Sequence, residues 1–459
     1  MDALAISEKK SGGVPIWALK PTETRTIGNQ VSKNAAIWAK TNGFVARKGQ
    51  LCLIPGNKNN IEAVLYGLGN SPTPMDTARL SRILPDGDYR FEHGIADISL
   101  ATLGWCLGAY QFTRYKIMAP RKAKLVVDKS VDLSAVKSAA DATFLTRNLI
   151  NTPANDLGPE ALEKAVRELA ISYKARVKVI KGEGLLKQNF PLIHAVGRAS
   201  VSAPRLIDMR WGSDKDKKIT LVGKGVSFDT GGLNIKGGES MALMKKDMGG
   251  AANVIGLARM IMEAKLPVSL RLLVPAVENS ISSNAFRPGD VLDSRKGISV
   301  EIGNTDAEGR LILADALSLA DEEKPDLLID MATLTGAARV ALGPDLPPFY
   351  THDDNLANAI GQASTDLMDP LWRMPLWQPY NAMLASKIAD INHITSGGFG
   401  GSVTAALFLA NFVDQTRSWA HFDVFGWVPS EKPWAVIGGE AQGIRALFEV
   451  IKNRVNNPA

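Results

Sequence analysis

The chain has 459 residues, too many for one ordinary hydrophobic core, so two domains are expected. Hydrophobic content of 45% with charged content of 22% is that of a soluble globular protein. The net charge of +6 is mild for this length, and with Lys and Arg interspersed among Asp and Glu it does not by itself argue a nucleic-acid partner.

Cys52 and Cys106 are the only cysteines, which excludes a disulfide framework and a thiolate zinc cluster. The opening stretch Met1 to Lys10 has no apolar signal core, and no apolar run of about 18 residues follows. A cytoplasmic protein with no membrane partner is expected.

Residues 1–130 read as a small α/β domain. Leu51–Pro55 and Lys124–Val127 have the composition of strands, while Asn60–Leu68 and Ile98–Leu107 carry helix-like spacing. Nothing in this part gathers acids, His or Cys into a site, so a structural or assembly role is expected. Residues 131–150 form a linker helix that starts near Ser134 as N-cap and stops before Asn151-Thr-Pro153.

Residues 151–459 alternate strands and helices. Strands are expected at Arg176–Ile180, Arg205–Met209, Ile219–Val222, Ser269–Val274, Asp326–Asp330 and Ala420–Val424. Helices are expected at Ala251–Ala264, Arg310–Glu322, Thr333–Leu342 and Val403–Val413. This order predicts an α/β fold: a mixed, largely parallel sheet flanked by helices in the carboxyl-terminal domain. Ligands of such sheets bind at the carboxyl ends of strands, where Lys224, Asp229 and Thr333–Gly336 fall.

Two motifs concentrate charge beside apolar runs: Ile219–Lys236, followed by Met244–Gly250, and Asn304–Leu311. They hold Lys224, Lys236, Asp229, Asp247, Asp306, Glu308 and Arg310, which are costly to desolvate unless paired or bound to metal. A dinucleotide fingerprint is excluded by Phe228, a phosphate loop by Val226, and no HExxH occurs. Ser227, placed in a glycine-rich turn, lacks an elbow motif or an evident histidine base. Both cysteines and His393 and His421 read as packing residues. The remaining carboxylates suit Zn, Mn, Mg or Co, and three or four of them can bridge two ions that make a nucleophile from water. A lysine ligand has first to lose its proton, whereas a lysine that stays charged stabilises an oxyanion.

Plainer roles compete. Thr305 to Glu308 matches a capping box, with Asp306 favoured at the same helix start, and Asp247 suits the start of the next helix. Lys245 and Lys246 read as solvated.

At these residues the sequence resembles the leucyl aminopeptidase family, the M17 metallopeptidases. Asn304–Leu311 matches the family signature at each position, as do Gly-Lys-Gly…Phe-Asp-Thr-Gly-Gly…Lys and Met-Lys-x-Asp-Met. The likeness runs from about residue 145 to the end and includes Ala332–Gly336 and Ser396–Gly401. It implies one divalent metal on Asp229, Asp306 and Glu308, and a second on Lys224, Asp229, Asp247 and Glu308, each Mn²⁺ or Zn²⁺. It further implies Lys236 on the scissile carbonyl and Arg310 holding a bicarbonate general base. Met244, Thr333, Leu334 and Gly336 would shape the pocket for the first side chain. Peptide substrates, an apolar first residue such as leucine, and a homohexamer are implied as well. Asn253 departs from the small apolar residue common at its place, which should affect helix packing more than chemistry. The alternatives are a DNA-binding or assembly role of the first domain and a two-metal phosphoesterase; the lysines and the scarcity of histidine disfavour the latter.

Overall fold

The computed structural model describes residues 4–57 and 60–456, so the first three residues of the opening stretch lie outside the described residues. The chain divides into two compact units, Met1–Phe144 with Ser430–Ile437, and Leu145–Pro429 with Gly438–Ala459. The division falls inside the helix Leu133–Asn151. That helix starts two residues earlier than an N-cap at Ser134 implies. Asp132 takes the capping role in place of Ser134, accepting the N–H groups of Ser134 and Ala135 at 3.0 and 3.1 Å.

Among its described residues the first unit carries five strands: β1 (Val14–Leu19), β2 (Leu51–Pro55), β3 (Ile61–Gly67), β4 (Gly87–His93) and β5 (Ala123–Leu125). Their order is β2-β3-β1-β4-β5, with only the β2–β3 pair antiparallel. The stretch Asn60–Leu68, expected as a helix, is therefore the strand β3. Residues 63–67 are all buried. A strand covered on both faces reads as a continuous apolar run, and such a run contains the helical spacing too. Ile98–Ala109 is a helix as expected, with Asp97 capping the Leu100 N–H at 2.9 Å.

The second unit is built on one mixed sheet. Its strands are β6 (Arg176–Lys181), β7 (Arg205–Gly212), β8 (Lys217–Gly223), β9 (Gly225–Asp229) and β10 (Val268–Asn279). After a small three-stranded sheet of β11 (Val291–Asp293), β12 (Ser299–Glu301) and a later strand come β13 (Leu327–Ala332), β14 (Pro348–Tyr350) and β15 (Trp372–Arg373). The later strand is β16 (Ile391–Asn392), and β17 (Trp419–Asp423) completes the main sheet. The order is β15-β14-β17-β13-β8-β10-β7-β6, with β9 also on β10. The central run β17-β13-β8-β10 is parallel, while β7 and β14 join it antiparallel.

Every residue of β13 and β17 is buried, the pattern of strands covered on both faces. The Gly249–Glu263 helix packs on β8 and β13 beside the helices Pro159–Tyr173 and Ile444–Asn456. The Glu308–Asp321 helix packs on β8 and β10 beside Pro191–Gly197 and Gly401–Ala410. Four parallel strands thus end close together: Lys224 follows β8, Asp229 ends β9, Thr333 follows β13 and Asp423 ends β17.

Candidate metal centre

Lys224 sits between β8 and β9 with its backbone N–H on Met331 O at 3.0 Å, so β13 fixes where its side chain starts. Its ammonium meets Asp247 at 2.8 Å, Glu308 at 2.9 Å and the Thr333 carbonyl at 3.0 Å, with the residue 3% exposed. Asp229 ends β9, and its Oδ1 accepts from the Gly231 N–H and from Asn279 Nδ2, each at 2.8 Å. Gly231 has φ +87°, and a Cβ there would lie 2.4 Å from Asn234 O. That tight turn returns the chain so that the Lys236 N–H reaches Thr230 O at 2.9 Å, and its ammonium pairs with Asp229 at 2.9 Å and with Asp306.

The expected capping box and the Asp247 cap do not form, while Asp306 does stand in the turn that leads into the Glu308–Asp321 helix. Thr305 Oγ1 donates to Gly231 O at 2.6 Å and accepts from the Asn234 N–H, so it tethers the Asp229 turn and closes no capping box with Glu308. Asn304 instead accepts the Asp306 N–H at 2.8 Å. Glu308 opens the Glu308–Asp321 helix, but its carboxylate turns to Lys224. The Gly249–Glu263 helix has no side-chain cap, because Asp247 is engaged by Lys224 and by Thr333 Oγ1 at 2.9 Å.

Four carboxylates and two ammoniums leave two negative charges in a buried site. Burial, then the neighbouring Asp247, raises the pKa of Asp229. Burial, then Asp229, raises that of Glu308 well above the ordinary value. For Asp247 burial is outweighed by Lys224 and Lys246, and its pKa falls. Burial alone would depress Lys224, but Asp247, Glu308 and Asp229 outweigh it and hold its pKa above the usual lysine range. A divalent cation among the carboxylates would reverse that balance, as a lysine would require in order to act as a ligand.

The residues fit such a cation. Asp229, Asp306 and Glu308 each offer an oxygen within 4.8 Å of the others, and Glu308 Oε2 has no hydrogen-bond partner in this structure. Arg310 lies in the first turn of the same helix, its Nη1 on His393 O at 2.6 Å and its buried Nε without a partner. Burial lowers the Arg310 pKa to about 10. His393 is itself buried. Its Nδ1 lies 3.2 Å from both the Gly303 N–H and Glu301 O, and its Nε2 lies 2.9 Å from Asn304 O.

Thr333 is buried, Met244 and Leu334 are half-buried and Gly336 is exposed at the start of the Gly336–Leu342 helix. Asp423 holds this segment by accepting from the Leu334 N–H at 3.0 Å and from Thr335 Oγ1 at 2.6 Å. Asp423 and Asn279 carried no sequence signal beyond their strand ends.

Lys246 corrects another expectation. It is 2% exposed, its ammonium 5.1 Å from the Phe425 ring, and burial lowers its pKa to about 8. Lys245 is half-buried and donates to Asn151 O at 2.9 Å. Ser227 lies within strand β9, not in a turn, with its buried hydroxyl unpartnered. Both cysteines are buried, and burial pushes the Cys106 thiol up to about 12, so neither offers a thiolate. Asn253 bridges Gly249 O and the Gln442 N–H, each at 2.8 Å.

Residues 144–448 match the family described as the cytosol aminopeptidase family, catalytic domain, and residues 14–128 match the M17 aminopeptidase N-terminal domain. A probable cytosol aminopeptidase of Clostridium perfringens is 37% identical over 372 residues, covering 76% of this chain and 75% of its own. The crystal structure of a cytosol aminopeptidase from Coxiella burnetii superposes with a TM-score of 0.94 at 45% identity, covering 98% of each chain. The bottromycin maturation enzyme BotP in complex with Mn superposes with a TM-score of 0.85 at 31% identity, covering 96% of this chain and 99% of that one. With the family domain spanning the charged strand ends, the chain belongs to the M17 cytosol aminopeptidase family and is an aminopeptidase.

Proposed function

We propose that the protein is a two-metal aminopeptidase that removes the first residue from peptides, leucine and other apolar residues among them. The observation that carries this reading is the meeting of Asp229, Asp306 and Glu308 oxygens within 4.8 Å at the ends of parallel strands, with Lys224 and Asp247 adjoining. Asp229, Asp306 and Glu308 would hold one divalent ion, and Lys224, Asp229, Asp247 and Glu308 the other. Bound there, Mn²⁺ or Zn²⁺ would supply a water nucleophile near neutral pH and polarise the scissile carbonyl. The Mn complex of BotP supports manganese.

Lys236 would stabilise the developing oxyanion. Burial opposes its charge, but Asp229 and Asp306 outweigh that and raise its pKa, so it stays an ammonium. Arg310 would bind bicarbonate as general base, with its unpartnered Nε free to donate. Met244, Thr333, Leu334 and Gly336 would shape the first-residue pocket, with Thr333 and Leu334 fixed through Asp247 and Asp423. Residues 151–459 would form the catalytic domain behind the 131–150 linker, in a cytoplasmic homohexamer. No described helix is long and apolar enough to cross a membrane.

The test is hydrolysis of leucine p-nitroanilide by the purified protein with added Mn²⁺ or Zn²⁺, and again after chelation. Metal-dependent cleavage that disappears when the α-amine is acetylated is the expected result. No cleavage of this substrate or of a panel of short peptides would refute the reading.

A further inference from the structure

The segment assigned to the first-residue pocket carries two cations that no part of the reaction above uses. Lys246 lies between Met244 and Asp247 in the Met244–Met248 turn and is almost wholly buried. Among the described residues its ammonium has no hydrogen-bond or ion-pair partner; it faces the ring of Phe425, 5.1 Å from the centroid. Arg339 stands 4.8 Å from the same centroid. Arg339 Nη2 is 3.6 Å from where a Gly336 side chain would begin, and Nη1 donates to Thr335 O at 2.8 Å. Asp247 joins the turn to Thr333 Oγ1, so Met244, Lys246, Thr333, Gly336, Arg339 and Phe425 form one neighbourhood.

An ammonium so nearly withdrawn from water is expensive; the Asp247 and Asp423 carboxylates favour its charge and a ring face returns a further part of the cost, but neither supplies it a hydrogen-bond acceptor. An arginine on the same ring adds like charge. Such an arrangement suits a site whose acceptor arrives with the ligand. Leucine brings none, whereas a side chain ending in a carboxylate brings two oxygens.

We propose that Lys246 is a specificity-determining residue, and that the pocket takes glutamate as the first residue of a peptide as well as apolar residues. Lys246 receives the carboxylate by a charge-assisted hydrogen bond, and Arg339 adds to the positive field. Phe425 lines the apolar stem of the side chain. This inference rests on the aminopeptidase reading of the same site.

The experiment measures kcat/KM of the Mn²⁺-loaded protein on α-linked glutamyl and leucyl p-nitroanilides, and compares the glutamyl-to-leucyl ratio with that of two variants. Wild type is expected to cleave both substrates. Lys246→Met should lower the ratio roughly 10- to 100-fold, the range for a hydrogen bond to a charged group. Arg339→Gln should lower it in the same direction by less, and it carries the test if Lys246→Met does not fold. Cleavage of the leucyl substrate alone, or an unchanged ratio in both variants, overturns the inference and leaves the aminopeptidase standing. Cleavage of neither substrate overturns both.

Discussion

Gly309 offers a direct test of how the site is built. It is the second residue of the Glu308–Asp321 helix, and a Cβ there would lie 2.6 Å from Lys224 Cε and 2.7 Å from both Cδ and Nζ. Comfortable carbon contacts begin near ~3.5 Å, so the overlap is about 0.9 Å. A lysine end is ordinarily easy to displace. This one is 3% exposed and held by Asp247, Glu308 and the Thr333 carbonyl within 3.0 Å, so it cannot move without breaking one of those contacts.

For Gly309→Ala the helix gains about 1 kcal/mol from the better propensity of alanine. Overpacking costs about 1–3 kcal/mol, and each lost hydrogen bond to a charged group about 1.5–3 kcal/mol. With one such bond lost, the net is destabilisation of about 1.5–5 kcal/mol. The same displacement moves a proposed metal ligand, so the Mn²⁺ needed for half-maximal activity should rise at least ~10-fold. Urea denaturation of the chelated protein and Mn²⁺ titration of leucine p-nitroanilide hydrolysis read the two effects. A variant with the wild-type urea midpoint and an unshifted titration would refute the argument that Lys224 is locked.

Lys236→Ala should keep its metals yet lose roughly 10²–10³ in turnover, the scale of one oxyanion donor; unchanged turnover would remove that role. Arg147, 1% exposed, meets Glu440 through two 2.9 Å bonds. Glu440→Ala takes both of these bonds from the buried guanidinium and should cost about 3–5 kcal/mol in urea denaturation. A loss under ~1 kcal/mol, the worth of an exposed pair, would show that the guanidinium finds water.

Burial and the nearby Arg310 depress His393 from 6.5 to about 3. Below pH 6.5 the unfolded chain therefore takes up a proton that the folded chain does not, and this contribution to stability is lost as pH falls. Between pH 6.5 and 5 the wild type should lose about 2 kcal/mol more than His393→Gln. Parallel losses would show that His393 titrates normally.

The sequence by itself determined the alternating strands and helices of the second unit. Strands such as β8, β13 and β17 are apolar runs of strand length between turn residues, and the Gly249–Glu263 and Glu308–Asp321 helices have a spacing that strands of that length do not share. It also determined which acids and lysines to suspect, because seven charged residues stood together next to apolar runs. What only the tertiary structure decided depends on neighbours far along the chain. Residues 60–68 became a strand because β1 and β2 flank them. Thr305 gave up a local cap because Gly231 and Asn234, more than 70 positions away, met its hydroxyl. Asn279 joined Asp229 through the pairing of β9 with β10. Lys246 was read as solvated, yet it is buried with its ammonium facing Phe425, 179 positions on. Periodicity is a local property and survives in the sequence, whereas desolvation is set by whatever the sheet order places against a side chain.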